Sequence, residues 1–348
     1  MKKENILNLS LNELKEKLST TGHESYRAKQ LFEWFYKKNI LDLNQIPNIS
    51  KKLRDDLLNN FEIHIPEISH VSKSIKDNSY KFLLKTTDDK LIESILMLKD
   101  NRATICLSCM IGCPLACRFC ATGMEVGFIR KLTLSEIIGQ IIALKKYALA
   151  NKISNKITNI VFMGMGEPFL NLPVIEKSVE ILTSEYGFSM SKSRITISTA
   201  GPTNNIADFI NKYKIKLAVS LHFPNNELRS KYMPVNKRFN IEQLIEELKK
   251  IKLSKREYIT IEYMMLQEIN DSIEDAKQLV KILSNLKVKI NLIPYNPTKT
   301  LPAKPSDEKT INEFIKYLIS KSLPVTVRRS LGSEIEGACG QFALKRKS

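Results

Sequence analysis

Nowhere does the sequence offer an uncharged apolar run of the roughly 20 residues needed to cross a bilayer. Met1-Lys2-Lys3 opens the chain without an apolar segment behind it, because Asn5, Asn8, Asn12 and Glu13 interrupt any such run. These absences predict a cytoplasmic protein with no membrane partner. Histidine is scarce, with four in the chain, and cysteine is confined. Residues 1–80 hold no cysteine, and beyond residue 120 there is only Cys339. Thiols so placed cannot brace the chain, and a reducing compartment argues against structural disulfides. Acidic residues are outnumbered, leaving a net charge of +17. Such an excess favours a polyanionic partner, nucleic acid before membrane, because lysine and arginine release counterions condensed on phosphates. A Lys-, Asn- and Ile-rich composition gives the same sign without any partner. With 348 residues, 43% of them hydrophobic, the chain can bury one large domain and a smaller one.

What is present is concentrated in residues 106–120, which read C-L-S-C-M-I-G-C-P-L-A-C-R-F-C. Cys113, Cys117 and Cys120 have the spacing C-x3-C-x2-C. Thiolates converging on one loop select an iron–sulfur cluster or zinc. A zinc knuckle would pair Cys106 and Cys109 with Cys117 and Cys120, leaving Cys113 idle. A cubane held by three thiolates leaves one iron free to hold a small molecule by an amine and a carboxylate.

Ser10 and Glu13 form a capping box that predicts a helix to about Ser19. Further helices are expected over 25–38 and 50–61. Tyr26, Trp34 and Phe35 at helical spacing read as core before base-stacking platform. The basic residues Lys51, Lys52 and Arg54 make an RNA-docking edge the functional alternative to a solvated face. A hairpin is expected at 80–86 and 90–98, with Glu93 on its solvent face. Thereafter short apolar strands at 104–108, 159–163, 194–198, 216–221, 258–264 and 288–293 alternate with helices. Those helices are expected at 133–150, 172–186, 203–211, 241–251, 272–286 and 307–320. The pattern predicts an α/β fold of six β/α units, an incomplete (β/α)6 barrel whose ligands bind at the carboxyl ends of the strands. The expected divisions are a helical accessory domain over 1–80, a hairpin and linker over 81–103, and the barrel over 104–348.

Polar motifs follow these strands. Gly164-Met165-Gly166-Glu167-Pro168 follows one, with a glutamate able to accept from an ammonium group. Ser198, then Ser220-Leu221-His222, then Asn296 follow others. Singly each passes for a cap or turn residue, and His222 for a neutral core imidazole. Together they mark one rim. Near the end, Gly337-Ala338-Cys339-Gly340-Gln341 places a thiol between small residues, which reads as a surface thiol or as a mobile nucleophile.

The C-x3-C-x2-C spacing resembles the signature of radical S-adenosylmethionine (SAM) enzymes. The wider text, Arg102 to Cys106, Gly112-Cys113, Phe119 to Gly123, and the Cys339 segment, resembles the bacterial adenine-C2 RNA methyltransferases of 23S rRNA and tRNA. The likeness covers residues 93–341, with the N-terminal part matching in character only. It implies a radical SAM barrel holding one 4Fe–4S cluster per chain on Cys113, Cys117 and Cys120. It also implies a SAM site of Gly166, Glu167, Ser198, Ser220, Leu221, His222 and Asn296. Catalysis would use Cys339 as S-methylcysteine, Glu93 as proton acceptor, and Cys106 in a transient disulfide with Cys339. Two SAM molecules are spent per turnover, a low-potential donor such as flavodoxin supplies the electron, and the chain acts as a monomer. One residue departs from the family's pattern: Cys109 is a competitor for Cys106 in the disulfide or for Cys113 on iron. Pro168 favours C2 over a C8-directed relative, and a zinc-stabilised RNA-binding protein is the non-enzymatic alternative.

Overall fold

The computed structural model describes residues 3–202 and 205–344. Ser10 caps the helix Leu11–Thr20, accepting from the Glu13 N–H at 3.3 Å while Glu13 Oε2 accepts from the Ser10 N–H at 2.8 Å. Tyr26–Phe32 runs on as a π-turn, Glu33–Lys37, and Ser50 caps Lys51–Asn60. Their apolar faces, Leu14, Leu18, Leu31, Phe32, Leu53 and Leu57, bury into the same continuous core as the barrel. Tyr36 packs on Phe188 with ring centroids 5.6 Å apart, and Lys177 pairs with Glu13 at 2.6 Å. The helical segment is therefore a wall of the molecule rather than an appendage. Arg54 donates to the carbonyls of Leu43 and Ile46, so one of the three basic residues of that helix is spent on folding.

Ten strands form one sheet: β1 Glu67–Lys73, β2 Ser79–Lys85, β3 Leu91–Lys99, β4 Arg102–Cys106, β5 Asn159–Phe162, β6 Ile195–Thr199, β7 Lys216–Ser220, β8 Ile259–Met265, β9 Val288–Pro294 and β10 Val325–Val327. Every strand lies beside its sequence neighbours. β4 to β10 run parallel, and β1 to β4 pair antiparallel. Helices Leu134–Ala150, Leu172–Thr183, Ile206–Tyr213, Ile241–Lys249, Ile273–Leu283 and Glu308–Ser320 make the successive crossovers, as expected of six β/α units. The start of the third expected helix, positions 203 and 204, lies outside the described residues.

Several described elements, among them β1, β10 and one short helix, had no sequence signal strong enough to read. β1 carries Glu67, Ser69, Ser72 and Lys73 and buries none of its residues fully, so its apolar pattern is weak. β10 is three residues long, and the helix Asn226–Tyr232 is one of seven. β1 begins at Glu67, so the sheet starts inside the stretch expected to be helical.

Candidate active site

The carboxyl ends of β4 to β9 open onto one cavity, closed on its far side by the chain after β10. Cys106 ends β4, where it pairs with Ile95 of β3, and both side chains line the cavity. The loop beyond is shaped by close backbone approach. Gly112 has φ +76°, and a Cβ there would stand 1.5 Å from the Gly127 carbonyl oxygen, so only glycine fits. Gly166 has φ +102°, and a Cβ on it would meet the Met110 side chain at 2.6 Å. The loop after β5 thus nests against the cysteine loop.

Cys113, Cys117 and Cys120 all line this cavity. Burial pushes Cys113 up to about 12 and raises the other two, and thiolates at 113 and 120 push Cys117 further. Ligation to iron would release those protons. One zinc ion holds its sulfurs about 3.8 Å apart, given Zn–S bonds of about 2.3 Å. Among the described residues no three Cys, His, Asp or Glu side chains gather as one ion requires. Cys109 also turns away: its Sγ donates to the Met165 carbonyl at 3.6 Å within the apolar core, and it does not line the cavity. Cys106 and Cys109 therefore diverge, which removes the zinc knuckle's first pair. Three thiols on one cavity wall, with Cys109 turned away, fit a cluster gripped at three corners.

The rim motifs converge on the same space. Gly166, Glu167, Ser198, Ser220, His222 and Asn296 line it. Glu167 is buried, and its Oε1 accepts from the Phe169 N–H and the Thr199 hydroxyl while Oε2 accepts from the Ala200 N–H. Burial still pushes its carboxyl up to about 7. His222 sits at φ +58° with Nδ1 accepting from the Met264 N–H at 3.2 Å, leaving Nε2 to carry the ring proton. Burial, with the Arg229 charge adding to it, holds this imidazole down to about 3, so it is neutral. Leu221 does not join them: its side chain lies in the core, and its carbonyl accepts from Arg229.

Glu93 is not on the solvent face expected for a carboxylate in an apolar strand. It is 0% exposed, because its face of β3 carries Ile95 and Met97 toward the cavity. Lys81 Nζ approaches its Oε1 at 2.7 Å, and the backbone N–H groups of Ala343 and Leu344 face it. Burial outweighs these partners and raises its pKa. Residues 342–344 cover it, so it does not line the cavity itself.

Cys339 closes the site. Its loop is tethered where Gly332 N–H donates to Asp77, Ser74 Oγ donates to Glu334 at 2.6 Å, and Ala121 N–H donates to the Gly340 carbonyl at 2.7 Å. Asn296 Nδ2 donates to Ser330 Oγ at 2.9 Å and to the Cys339 carbonyl at 3.3 Å. Cys339 is exposed and Cys106 buried, the latter pushed up to about 12 by burial. Arg328 lies near both thiols and opposes that rise at Cys106. Arg328 and Glu262 escaped the sequence reading. Glu262 had the signal Glu93 had, an acid inside an apolar strand, and it too is buried, accepting from Asn291 Nδ2 at 3.0 Å.

Comparison with known proteins agrees with this architecture. The radical SAM superfamily profile matches residues 107–280, and that of the ribosomal RNA large subunit methyltransferase N-terminal domain matches residues 4–63. The probable dual-specificity RNA methyltransferase RlmN of Dictyoglomus turgidum is 40% identical over 339 residues, covering 97% of this chain and 96% of its own. The dual-specificity RNA methyltransferase RlmN of Lawsonia intracellularis is 42% identical over 345 residues, with 97% and 96% covered. The crystal structure of a radical SAM methyltransferase from Sphaerobacter thermophilus superposes with a TM-score of 0.89 at 36% identity, over 98% of this chain and 100% of that one. No described helix is long and apolar enough to cross a membrane. A three-thiol loop facing a strand-end rim, joined to this N-terminal module and to full-length relatives, places the chain in the RlmN family of radical SAM RNA methyltransferases.

Proposed function

We propose that the enzyme methylates C2 of an adenosine in 23S rRNA and of one in tRNAs, carrying the methyl group on Cys339. Adenine C2 is an electron-poor amidine carbon and cannot attack a sulfonium methyl, so the methyl must arrive on a carrier. When bound, the cluster and SAM supply one-electron chemistry that converts a methyl group into a carbon radical. The chain's own residues do the rest. Cys339 takes a methyl from one SAM by displacement and presents it to the base, a second SAM being spent on the radical. Glu93 accepts the C2 proton, and Cys106 as its thiolate bonds to the Cys339 sulfur while the bond from that sulfur to the transferred carbon breaks. The freed carbon takes up a proton to become the methyl group, and the unpaired electron left by radical addition would pass back to the cluster, leaving methylated RNA and a Cys106–Cys339 disulfide. A reducing cytosol resets the pair by thiol–disulfide exchange. Cys113, Cys117 and Cys120 would hold the cluster, and Gly166, Glu167, Ser198, Ser220, His222 and Asn296 would hold SAM. A low-potential donor such as flavodoxin and an RNA-docking N-terminal module complete the reading.

One observation carries it: Cys106 and Cys339 face the cavity that the three cluster thiols line, and Cys109 does not. Cys109 bonds into the core and does not line the cavity, which argues against the competition expected from it. Glu93 fits its role on condition that residues 342–344 lift from it during the cycle. Anaerobic reconstitution followed by mass analysis of treated 23S rRNA fragments and tRNA tests the proposal. About four iron and four sulfide per chain, with methyl at C2, is the expected result. Methyl at C8, or one zinc without sulfide, would overturn it.

A further inference from the structure

Arg229 is 0% exposed, yet among the described residues no carboxylate forms an ion pair with it. Its hydrogen bonds all go to neutral oxygens: Nη2 to the Ala200 carbonyl at 2.7 Å, Nη1 to Asn236 Oδ1 at 2.8 Å, and Nε to the Leu221 carbonyl at 3.3 Å. Burial pulls the guanidinium down to about 10, so it remains a cation at neutral pH, with the Cys117 charge opposing that pull. Cys117 packs in one apolar cluster with Leu228 and Tyr232, which precede and follow Arg229 in its helix. A buried charge left without an opposite charge is strongly unfavourable and is retained where an anion comes to it. The helix Asn226–Tyr232 that carries Arg229 is also bonded to the cysteine loop, through the Arg118 N–H to the Tyr232 carbonyl at 2.9 Å.

We propose that Arg229 is the built-in counter-charge of the iron–sulfur cluster, acting through Cys117 to favour cluster loading and its reduced, more negative state. The inference rests on Cys117 being a cluster ligand. Arg229 is a positioning residue by this account, since it meets neither RNA nor the reacting carbon. A nearby positive charge stabilises the form with the extra electron, so it raises the midpoint potential. Its bonds to the Ala200 and Leu221 carbonyls, and to Ser220 at 3.4 Å, fix that charge behind the rim.

Arg229→Met and Arg229→Lys are compared with the parent enzyme, each as cluster-free and as reconstituted full-length protein. Redox titration of the cluster should give a midpoint shifted to more negative potential in Arg229→Met and close to the parent in Arg229→Lys. In thermal unfolding, reconstitution should raise Tm more for the parent than for Arg229→Met, because the uncompensated cation is relieved only when the cluster is present. Equal Tm losses with and without cluster, a cluster-free Arg229→Met that fails to fold, or an unchanged midpoint would each make Arg229 a structural pillar and overturn the proposal. Failure of the parent itself to bind iron would instead remove the cluster assignment beneath it.

Discussion

The two walls of the cavity are held by different means. The rim wall is made of strand ends whose side chains are locked by backbone groups of the core, as Glu167 is by Phe169 and Ala200, and His222 by Met264. The Cys339 wall is chain without regular structure beyond the turn Ser333–Ile335, and side chains of other elements pin it. Its turns lie at positive φ, at Gly332, Glu336 and Gly340, and Ile75 beside its anchor is 94% exposed. Opening the rim means breaking the barrel, whereas opening the loop means breaking a few tethers. The difference suits the division of duties proposed above: fixed groups on the core, and on the tethered loop the thiol that the proposed cycle brings to SAM, RNA and Cys106 in turn.

The largest effect expected lies in the cysteine loop that faces the rim. Replacing Cys113, Cys117 or Cys120 with alanine should abolish the brown chromophore and all SAM cleavage, while Cys109→Ala keeps both. Full iron content in Cys117→Ala would break the assignment.

Next comes the contrast between walls. Cys339→Ala should form no covalent RNA complex on a denaturing gel, whereas Cys106→Ala should accumulate one. Because Cys109 points into the core, Cys106→Ala/Cys109→Ala should trap no more than the single change. Greater trapping by the double variant would show that Cys109 reaches the cavity.

Beneath the loop, the buried Lys81–Glu93 pair should be worth about 3–5 kcal/mol when Lys81→Met leaves Glu93 alone. The pKa of Glu93 is already raised in the fold, so the folded state holds its proton more tightly than the unfolded chain. Stability from this group is therefore lost as pH rises from its ordinary value of 4.5 to the raised value it has in the fold, and across that window the variant should suffer more with each step upward. Denaturant titrations across pH measure it, and a difference independent of pH would contradict the argument.

Cutting a tether should do less. Glu334→Ala removes its bonds to Ser74 and Lys76, about 1.5 kcal/mol, or roughly tenfold in the open fraction of the loop. Hydrogen exchange at the Gly332 and Gly337 amides, both bonded in the closed loop, should accelerate accordingly with little change in Tm. An unchanged rate would mean that the loop is held from the rim side, through Asn296 and Ala121.

The smallest effect belongs to a surface outside both walls. Lys51→Glu/Lys52→Glu should weaken RNA binding and flatten its salt dependence by about one unit of slope for each phosphate no longer neutralised, leaving cluster and SAM cleavage intact. These exposed side chains are a cleaner probe than removal of residues 1–80, which would tear β1 from the sheet and expose the shared core. An unchanged salt slope would tell against docking there.

The sequence by itself determined the β/α alternation, the capping boxes and the concentration of polar motifs after strands. Each depends on residues near one another in the chain: apolar periodicity, a serine and a glutamate three apart, glycines in a turn. It also confined the thiol chemistry to one loop and Cys339. Glu93 shows where such reading stopped, since which face of a strand is buried depends on what packs over it, here residues 342–344 from the far end of the chain. Arg229 and Arg328 were equally illegible, because an arginine after a strand or on a short helix looks solvated until its neighbours are known. Only the tertiary structure decided that Cys106 faces the cavity and Cys109 the core. The pairing of β4 and β5 and the nesting of Gly166 against Met110 orient that loop, and both are contacts between segments that are distant in sequence.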